Sequence, residues 1–167
     1  MSITVKNAVI GATSGFAASF LMDVATNAIL RRQSAVSVRR QDELAPGGAP
    51  AVLVRRTTKL AGVDLSVERS ERYALILHRT LASTYGVASA ALVRPTRSPM
   101  LAALLATGAA LVLVDEGLPT LRIVPAPSKW PWESHVRGVV GHLTLAAGIG
   151  ALLILAERFV GLDGRDT

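Results

Sequence analysis

Histidine and arginine stand side by side, as His78 and Arg79, inside an otherwise apolar run of residues. The run reads YALILHRTLASTYGVASAALV and covers residues 73–93, enough to cross a bilayer as a helix of about 20 residues. An imidazole exchanges a proton near neutral pH or ligates a metal, and a guanidinium binds carboxylates in a bidentate fashion. Ionisable groups inside membrane helices generally face the bundle interior and pair with one another. The sequence therefore predicts a polar site within a membrane helix.

Other ionisable residues of the apolar segments are predicted to lie at the same depth. His78 and Arg79 lie five and six residues inside their run, roughly 8–9 Å from its end at a rise of 1.5 Å per residue. Asp23 precedes Arg31, the first basic residue after its own apolar block, by eight residues, or about 12 Å by the same rise. The predicted polar layer consists of Asp23, His78, Arg79, Asp115, Glu116 and His142. We expect Arg79 to pair with Asp23 or with the acidic pair at 115–116.

Four kinds of chemistry are compatible with this polar layer. A structural layer would hold the helices in register, whereas a proton or ion site would use histidine beside carboxylates. A metal site would combine His78, His142 and a carboxylate, ligands that suit zinc or iron, and the two histidines could instead ligate a haem. The residues predict no enzyme and require no cofactor. The chain has no cysteine, and the serines of the apolar segments have no base arranged nearby.

Four apolar blocks must position these residues, at about 8–30, 73–93, 99–114 and 138–157. Half of the 167 residues are hydrophobic and 18% are charged, against roughly 25% charged in an ordinary soluble domain. Gly11 and Gly15 form a GxxxG motif, and Ser83, Gly86 and Ala90 form a ridge of small residues that lets helices approach closely. The sequence predicts one all-α membrane domain over residues 1–167, an integral four-helix bundle.

The basic residues predict how this bundle is oriented. Nine lie in the basic loop at 31–72 and three in the Pro/Trp-rich loop at 117–137, against five on the other side. Because cytoplasmic loops carry an excess of Lys and Arg, both loops are predicted to be cytoplasmic and both termini outside. The polar layer then lies in the cytoplasmic half.

Both loops contain residues that could contact the membrane surface. The segment APAVLVRRTTKLAGV predicts a short interfacial helix at about 50–63 with Arg55, Arg56 and Lys59 facing anionic lipid or a partner; a solvated basic linker is the alternative. In the second loop, Trp130 and Trp132 are typical of headgroup anchors. Glu133 and His135, which follow them, could cap the polar layer.

Several short motifs resemble the YagU-like family of small bacterial inner-membrane proteins. They are His78 with STYG at 83–86, DEGLP at 115–119, Pro125 and Pro127, ESH at 133–135 and GH at 141–142. The resemblance spans most of the chain and implies a four-helix inner-membrane protein, without implying a reaction. The matching positions are His78, Tyr85, Gly86, Asp115, Glu116, Glu133, His135 and His142.

The predicted function is that of a non-enzymatic accessory or stabilising subunit of a larger membrane complex, such as a transporter assembly. The expected partners are anionic lipid headgroups and other membrane subunits or a second copy. Nucleic acid is not expected despite the net charge of +6, because only 4% of the residues are aromatic and base stacking needs aromatic side chains. The alternative is an independent proton- or ion-handling protein that uses the polar layer, and a weaker alternative is a metal- or haem-binding membrane protein.

Overall fold

The computed structural model describes residues 3–113 and 117–159 of the chain. All regular structure in these residues is helical, which confirms the all-α fold class. The helices are α1 (Val5–Leu30), α2 (Ala35–Leu44), α3 (Ala49–Leu60), α4 (Val67–Thr96), α5 (Pro99–Val112), α6 (Leu118–Thr120) and α7 (Trp132–Phe159), with a 3₁₀ turn at Pro127–Lys129.

Helices α4 and α7 begin before the apolar blocks that predicted them, at residue 67 rather than 73 and at residue 132 rather than 138. The Ser66 hydroxyl caps α4 by accepting a hydrogen bond from the Arg69 amide, and Glu68 pairs with Arg72 at 2.6 Å one turn later. Capping and i,i+4 pairs extend a helix into polar sequence, where hydropathy alone does not detect it. The loop predicted at 117–137 therefore ends at Pro131, and Glu133 and His135 belong to α7.

The basic loop at 31–72 is largely helical. It contains α2, whose N-terminus is capped by the Ser34 hydroxyl, and α3, which has Pro50 in its first turn. Proline is favoured there because its missing N–H has no helical partner. The predicted helix at 50–63 is present but ends at Leu60, and the chain then turns through Gly62, which has a φ of +78°. Helix α3 packs on α4.

Four helices pack around a common core: α1 contacts α4 and α7, and α5 contacts the same two. Neighbouring helices run antiparallel, since Gly11 lies against Ala90 and Gly15 against Ala82. The α1–α4 contact is made by backbone, because a Cβ added at Gly86 would overlap the carbonyl oxygen of Gly11. The small-residue faces predicted from GxxxG and from the ridge on α4 thus meet each other.

Side-chain size is distributed unusually between the core and the surface of these helices. The core is mostly alanine, and its fully buried large aliphatic side chains are Leu145, Ile149 and Leu153, all on α7. Phe16, Val24 and Ile76 are about half or more exposed, as are many large apolar residues of α5 and α7. Within the described residues, α1 and α7 are the two helices long and apolar enough to cross a membrane, and α5 is a shorter apolar helix.

Candidate functional site

The crossing of α1 and α4 places Asp23 opposite His78 and Arg79. Ser19 and Asp23 are one turn apart on α1, on the same face as the glycines that contact α4. Because the two helices run antiparallel with their backbones in contact, the part of α1 that carries Ser19 and Asp23 lies beside the first half of α4. This geometry brings together residues 56 positions apart in the sequence.

Arg79 is held on three sides. Its Nη2 donates to Asp23 Oδ2, and its Nη1 donates to Ser19 Oγ at 2.6 Å. The guanidinium carbon lies 4.0 Å from the centre of the Phe20 ring, in a cation–π contact. Ser19 is fully buried and donates its own proton to the Phe16 carbonyl, which leaves its lone pairs for Arg79. The Arg79 side chain is only 16% exposed, so this arrangement compensates its charge within the bundle.

His78 also lies close to Asp23. Its Nε2 lies 3.4 Å from Asp23 Oδ1 without forming a hydrogen bond, although this nitrogen is buried. Asp23 therefore lies between an arginine that it binds and a histidine that it approaches. The Asp23 side chain is 34% exposed and that of His78 is 27% exposed, so the layer opens partly to the outside of the bundle.

His142, the remaining described residue of the predicted polar layer, lies on α7. Its Nδ1 is 3.0 Å from the Gly138 carbonyl. A carbonyl only accepts, so Nδ1 carries the proton, and in the neutral imidazole Nε2 keeps a lone pair. Among residues 3–113 and 117–159, no three His, Asp or Glu side chains are grouped to hold a metal. Asp115 and Glu116 lie outside the described residues.

The two residues predicted as a cap lie at the beginning of α7. Glu133 is half-buried in the first turn of α7. His135 Nε2 is 3.1 Å from the Pro127 carbonyl, and the ring lines a cavity of about 540 Å³ with Trp130 and Arg137. This cavity lies between α1, α2 and the beginning of α7. The lining of this cavity includes none of the described polar-layer residues, which are Asp23, His78, Arg79 and His142.

A second polar contact was not predicted from the sequence. Arg137 Nη2 donates to Gln41 Oε1 at 2.7 Å, and the Gln41 amide donates to Gln33 and Ser37 of the α1–α2 region. Gln41 lies on α2 and Arg137 on α7, so this contact joins the two helices. The Gln41 side of the contact is buried. The only sequence signal was the i, i+4 spacing of Ser37 and Gln41, and it becomes visible only once α2 is recognised as a helix.

The three basic residues predicted to contact lipid or a partner have different environments. Arg55 is used internally, donating to Ser70 Oγ and to the Pro46 carbonyl, both at 2.8 Å. Arg56 is exposed and its Nη1 donates to the Arg122 carbonyl, whereas Lys59 is exposed on the last turn of α3. Arg56 and Lys59 are therefore the residues of this set that reach solvent.

Comparisons with protein-family models, with curated proteins and with solved structures find no match to this chain. The resemblance to the YagU-like family stays a prediction made from short motifs.

Proposed function

We propose that the chain is a non-enzymatic integral membrane protein in which α1, α4, α5 and α7 form a four-helix membrane bundle. Many large apolar side chains of these helices are exposed while most buried core residues are alanine, as expected where lipid rather than water surrounds the helices. Helix association in lipid gains little from burying apolar surface and depends on close packing of small residues. The contact of Gly11 and Gly15 with α4 is of this kind.

Within the membrane we propose that the protein serves as an accessory or stabilising subunit of a larger assembly. The observation that carries this proposal is the 34% exposure of the Asp23 side chain, about 12 Å along the helix from Arg31 at 1.5 Å per residue. Lipid tails offer a carboxylate no hydrogen bond, and intramembrane charges are normally covered by protein or water. A partner subunit or a second copy that packs over Asp23, where α1 and α4 cross, would shield this carboxylate from lipid.

Photo-crosslinking tests the subunit proposal directly. A benzophenone side chain at Ile76, which is 62% exposed three residues before Arg79, should crosslink to one defined protein in native membranes. The control is the same side chain at Leu101, 45% exposed on α5, which should crosslink mainly to lipid. Asp23→Asn should weaken the Ile76 crosslink and leave the control unchanged. Equal, lipid-only labelling at both positions, with a monodisperse monomer after mild extraction, would contradict the proposal.

The proposed orientation places the 31–72 and 117–137 connections in the cytoplasm and both termini outside. The chain has no native cysteine, so single cysteines give unambiguous labelling. Cysteines at the exposed residues Thr57 and Ser128 should react with a membrane-impermeant maleimide only from the cytoplasmic side. A cysteine at the exposed Pro95 should react only from outside. The reverse pattern would move the polar layer to the outer half of the membrane.

A second candidate function is independent proton or ion handling, favoured by the buried, unbonded Nε2 of His78 beside Asp23. Histidine beside a carboxylate can load and release a proton near neutral pH. His78→Phe separates the two candidates. If the chain is a subunit, the His78→Phe variant should keep the Ile76 crosslink. If the chain handles protons, the wild-type protein reconstituted in vesicles should carry a proton flux, and the His78→Phe variant should lose it.

A further inference from the structure

The two connections proposed to be cytoplasmic meet in one basic cleft. The cleft lies between α3 and the segment joining α6 to α7, has a volume of about 740 Å³, and carries Arg55, Arg56, Lys59, Arg122 and Lys129. Arg56 spans the two segments, because its guanidinium on α3 donates to the backbone carbonyl of Arg122. Arg122 has a φ of +55°, an uncommon conformation for a residue other than glycine. Two distant parts of the chain therefore contribute cations to one place.

The charge of the basic cleft is not compensated within the described part of the chain. Arg55 is bound by Ser70 and Pro46, but Arg56, Lys59, Arg122 and Lys129 are exposed. Among the described residues, none of these four forms a salt bridge with a carboxylate within 4 Å. Among the described residues, Asp64 is the one acidic residue that lines the cleft. Four uncompensated cations around an open cavity favour an anion with several oxygens, which arginine binds bidentately.

Exposed apolar residues that are close in the sequence to the cations of the cleft indicate where that anion comes from. Leu60, next to Lys59, is 90% exposed; Leu121, next to Arg122, is 69% exposed; and Trp132, three residues after Lys129, is 71% exposed. Such large apolar side chains beside cations suit a ligand that carries a phosphate and acyl chains together. Tryptophan is also enriched at the headgroup level of membranes. A free phosphate would leave these apolar side chains without a function.

The other described cavity is a weaker candidate for this ligand. It contains Arg137, but Arg137 is already bound by Gln41, and Asp42 and Glu71 line the same cavity. Two carboxylates there oppose a second anion. The basic cleft, to which residues 3–113 and 117–159 contribute five cations and one carboxylate, is the stronger electrostatic site.

We propose that the basic cleft binds the phosphate of an anionic phospholipid, with Arg56 and Lys59 on one side and Arg122 and Lys129 on the other. The lipid joins α3 to the segment before α7 at the membrane surface. This proposal rests on the membrane bundle proposed above, since the cleft must lie at headgroup level. It goes further by naming the ligand chemistry and by including Arg122 and Lys129.

The two tryptophans of the chain provide a built-in probe. Trp130 is adjacent to Lys129, and its Nε1 donates to the Pro125 carbonyl at 3.1 Å. Dioctanoyl phosphatidylglycerol, added to the full chain in a neutral maltoside detergent, should change tryptophan fluorescence saturably. Dioctanoyl phosphatidylcholine should bind more weakly, because its choline cation would enter the same cleft. Inorganic phosphate should neither reproduce the change nor compete at equal concentration.

The matched variants are Arg122→Gln/Lys129→Gln in the cleft and Arg32→Gln/Arg39→Gln among exposed basic residues outside it. A basic residue near an anionic surface contributes roughly fivefold in affinity, so the cleft variant should bind phosphatidylglycerol roughly 25-fold more weakly. The control variant should stay within about twofold, the spread of a surface change. If the double variant fails to fold by circular dichroism, Lys129→Gln alone should still show the fivefold loss.

Three results would overturn the lipid site. They are equal binding of the two phospholipids, an equal loss in both double variants, or saturation by inorganic phosphate at a similar concentration. The last result would assign the cleft to a free phosphate compound. If cysteine labelling gives the expected orientation and phosphatidylglycerol does not bind, the lipid site alone is wrong. If labelling contradicts the orientation, the proposed membrane bundle must be revised as well.

Discussion

Arg79→Leu is expected to lower the free energy of unfolding of the detergent-solubilised protein by about 3 kcal/mol. The substitution leaves Asp23 without the guanidinium that binds it and leaves the buried Ser19 hydroxyl without its donor. Removing one partner of a buried ion pair costs more than the pair contributes, because the remaining charge is uncompensated. The value lies at the low end of the usual range because Asp23 is 34% exposed. Unfolding in increasing dodecyl sulfate, followed by circular dichroism, measures the change.

The control for this prediction is the double variant Arg79→Leu/Asp23→Leu. With both charges removed, the stability should return to within about 1 kcal/mol of the wild-type value, because no uncompensated charge remains. Asp23→Leu alone should be as destabilising as Arg79→Leu. If Arg79→Leu is as stable as the wild-type chain, the ion pair with Asp23 contributes no net stability. The Arg79 guanidinium would then extend to the lipid headgroups, and the polar layer would not be structural.

Gly86→Leu is expected to separate α1 from α4 and to destabilise the bundle by about 3 kcal/mol or more, beyond the usual cost of an overpacked core. A Cβ at this position would overlap the Gly11 carbonyl oxygen and come within 2.8 Å of the Gly15 nitrogen. These are backbone atoms, so a side-chain rotation cannot make room. The separation would also move Ser19 and Asp23 away from Arg79, two turns along α4, so packing and ion pairing are lost together.

Gly108 on α5 is the matched control, because a Cβ added there meets no atom within 4 Å. Gly108→Leu should be tolerated, and Gly108→Ala should stabilise the helix by up to about 1 kcal/mol, the difference in helix propensity. Gly86→Ala should have the opposite sign. Both pairs are compared by the same dodecyl sulfate unfolding. Equal effects at the two glycines would show that helix propensity, rather than contact between the backbones, explains their presence.

The sequence predicted much of this arrangement through two kinds of regularity. The distances of Asp23 and Arg79 from the ends of their apolar segments predicted a similar depth for the two residues, and Asp23 was one of the two partners expected for Arg79. The GxxxG motif of α1 predicted a close contact, and the structure identifies α4 as the contacting helix. Periodicity shows which face of a helix is packed but not which neighbour packs on it.

What the sequence did not predict depends on contacts between distant polar segments. The hydrogen bond from Arg56 to the Arg122 carbonyl joins residues 66 positions apart, and the bond from Arg137 to Gln41 joins residues 96 positions apart. Arg122 and Lys129 were counted only as loop charges that set orientation. Neither hydropathy nor helical spacing shows which of two segments far apart in the sequence are in contact, so the basic cleft is recognised only in the folded structure.

The alanine-rich core has a consequence for how the bundle responds to temperature. A soluble protein gains a large heat capacity when it unfolds, because apolar side chains pass from a dry core into water. Here most buried core residues carry a single methyl group, while Phe16, Val24 and Ile76 are already outside. In a bilayer, separating the helices would exchange one apolar surrounding for another, with little change in hydration. The free energy of unfolding of the bundle should therefore vary almost linearly with temperature. It should not show the loss of stability at low temperature that water-soluble folds show.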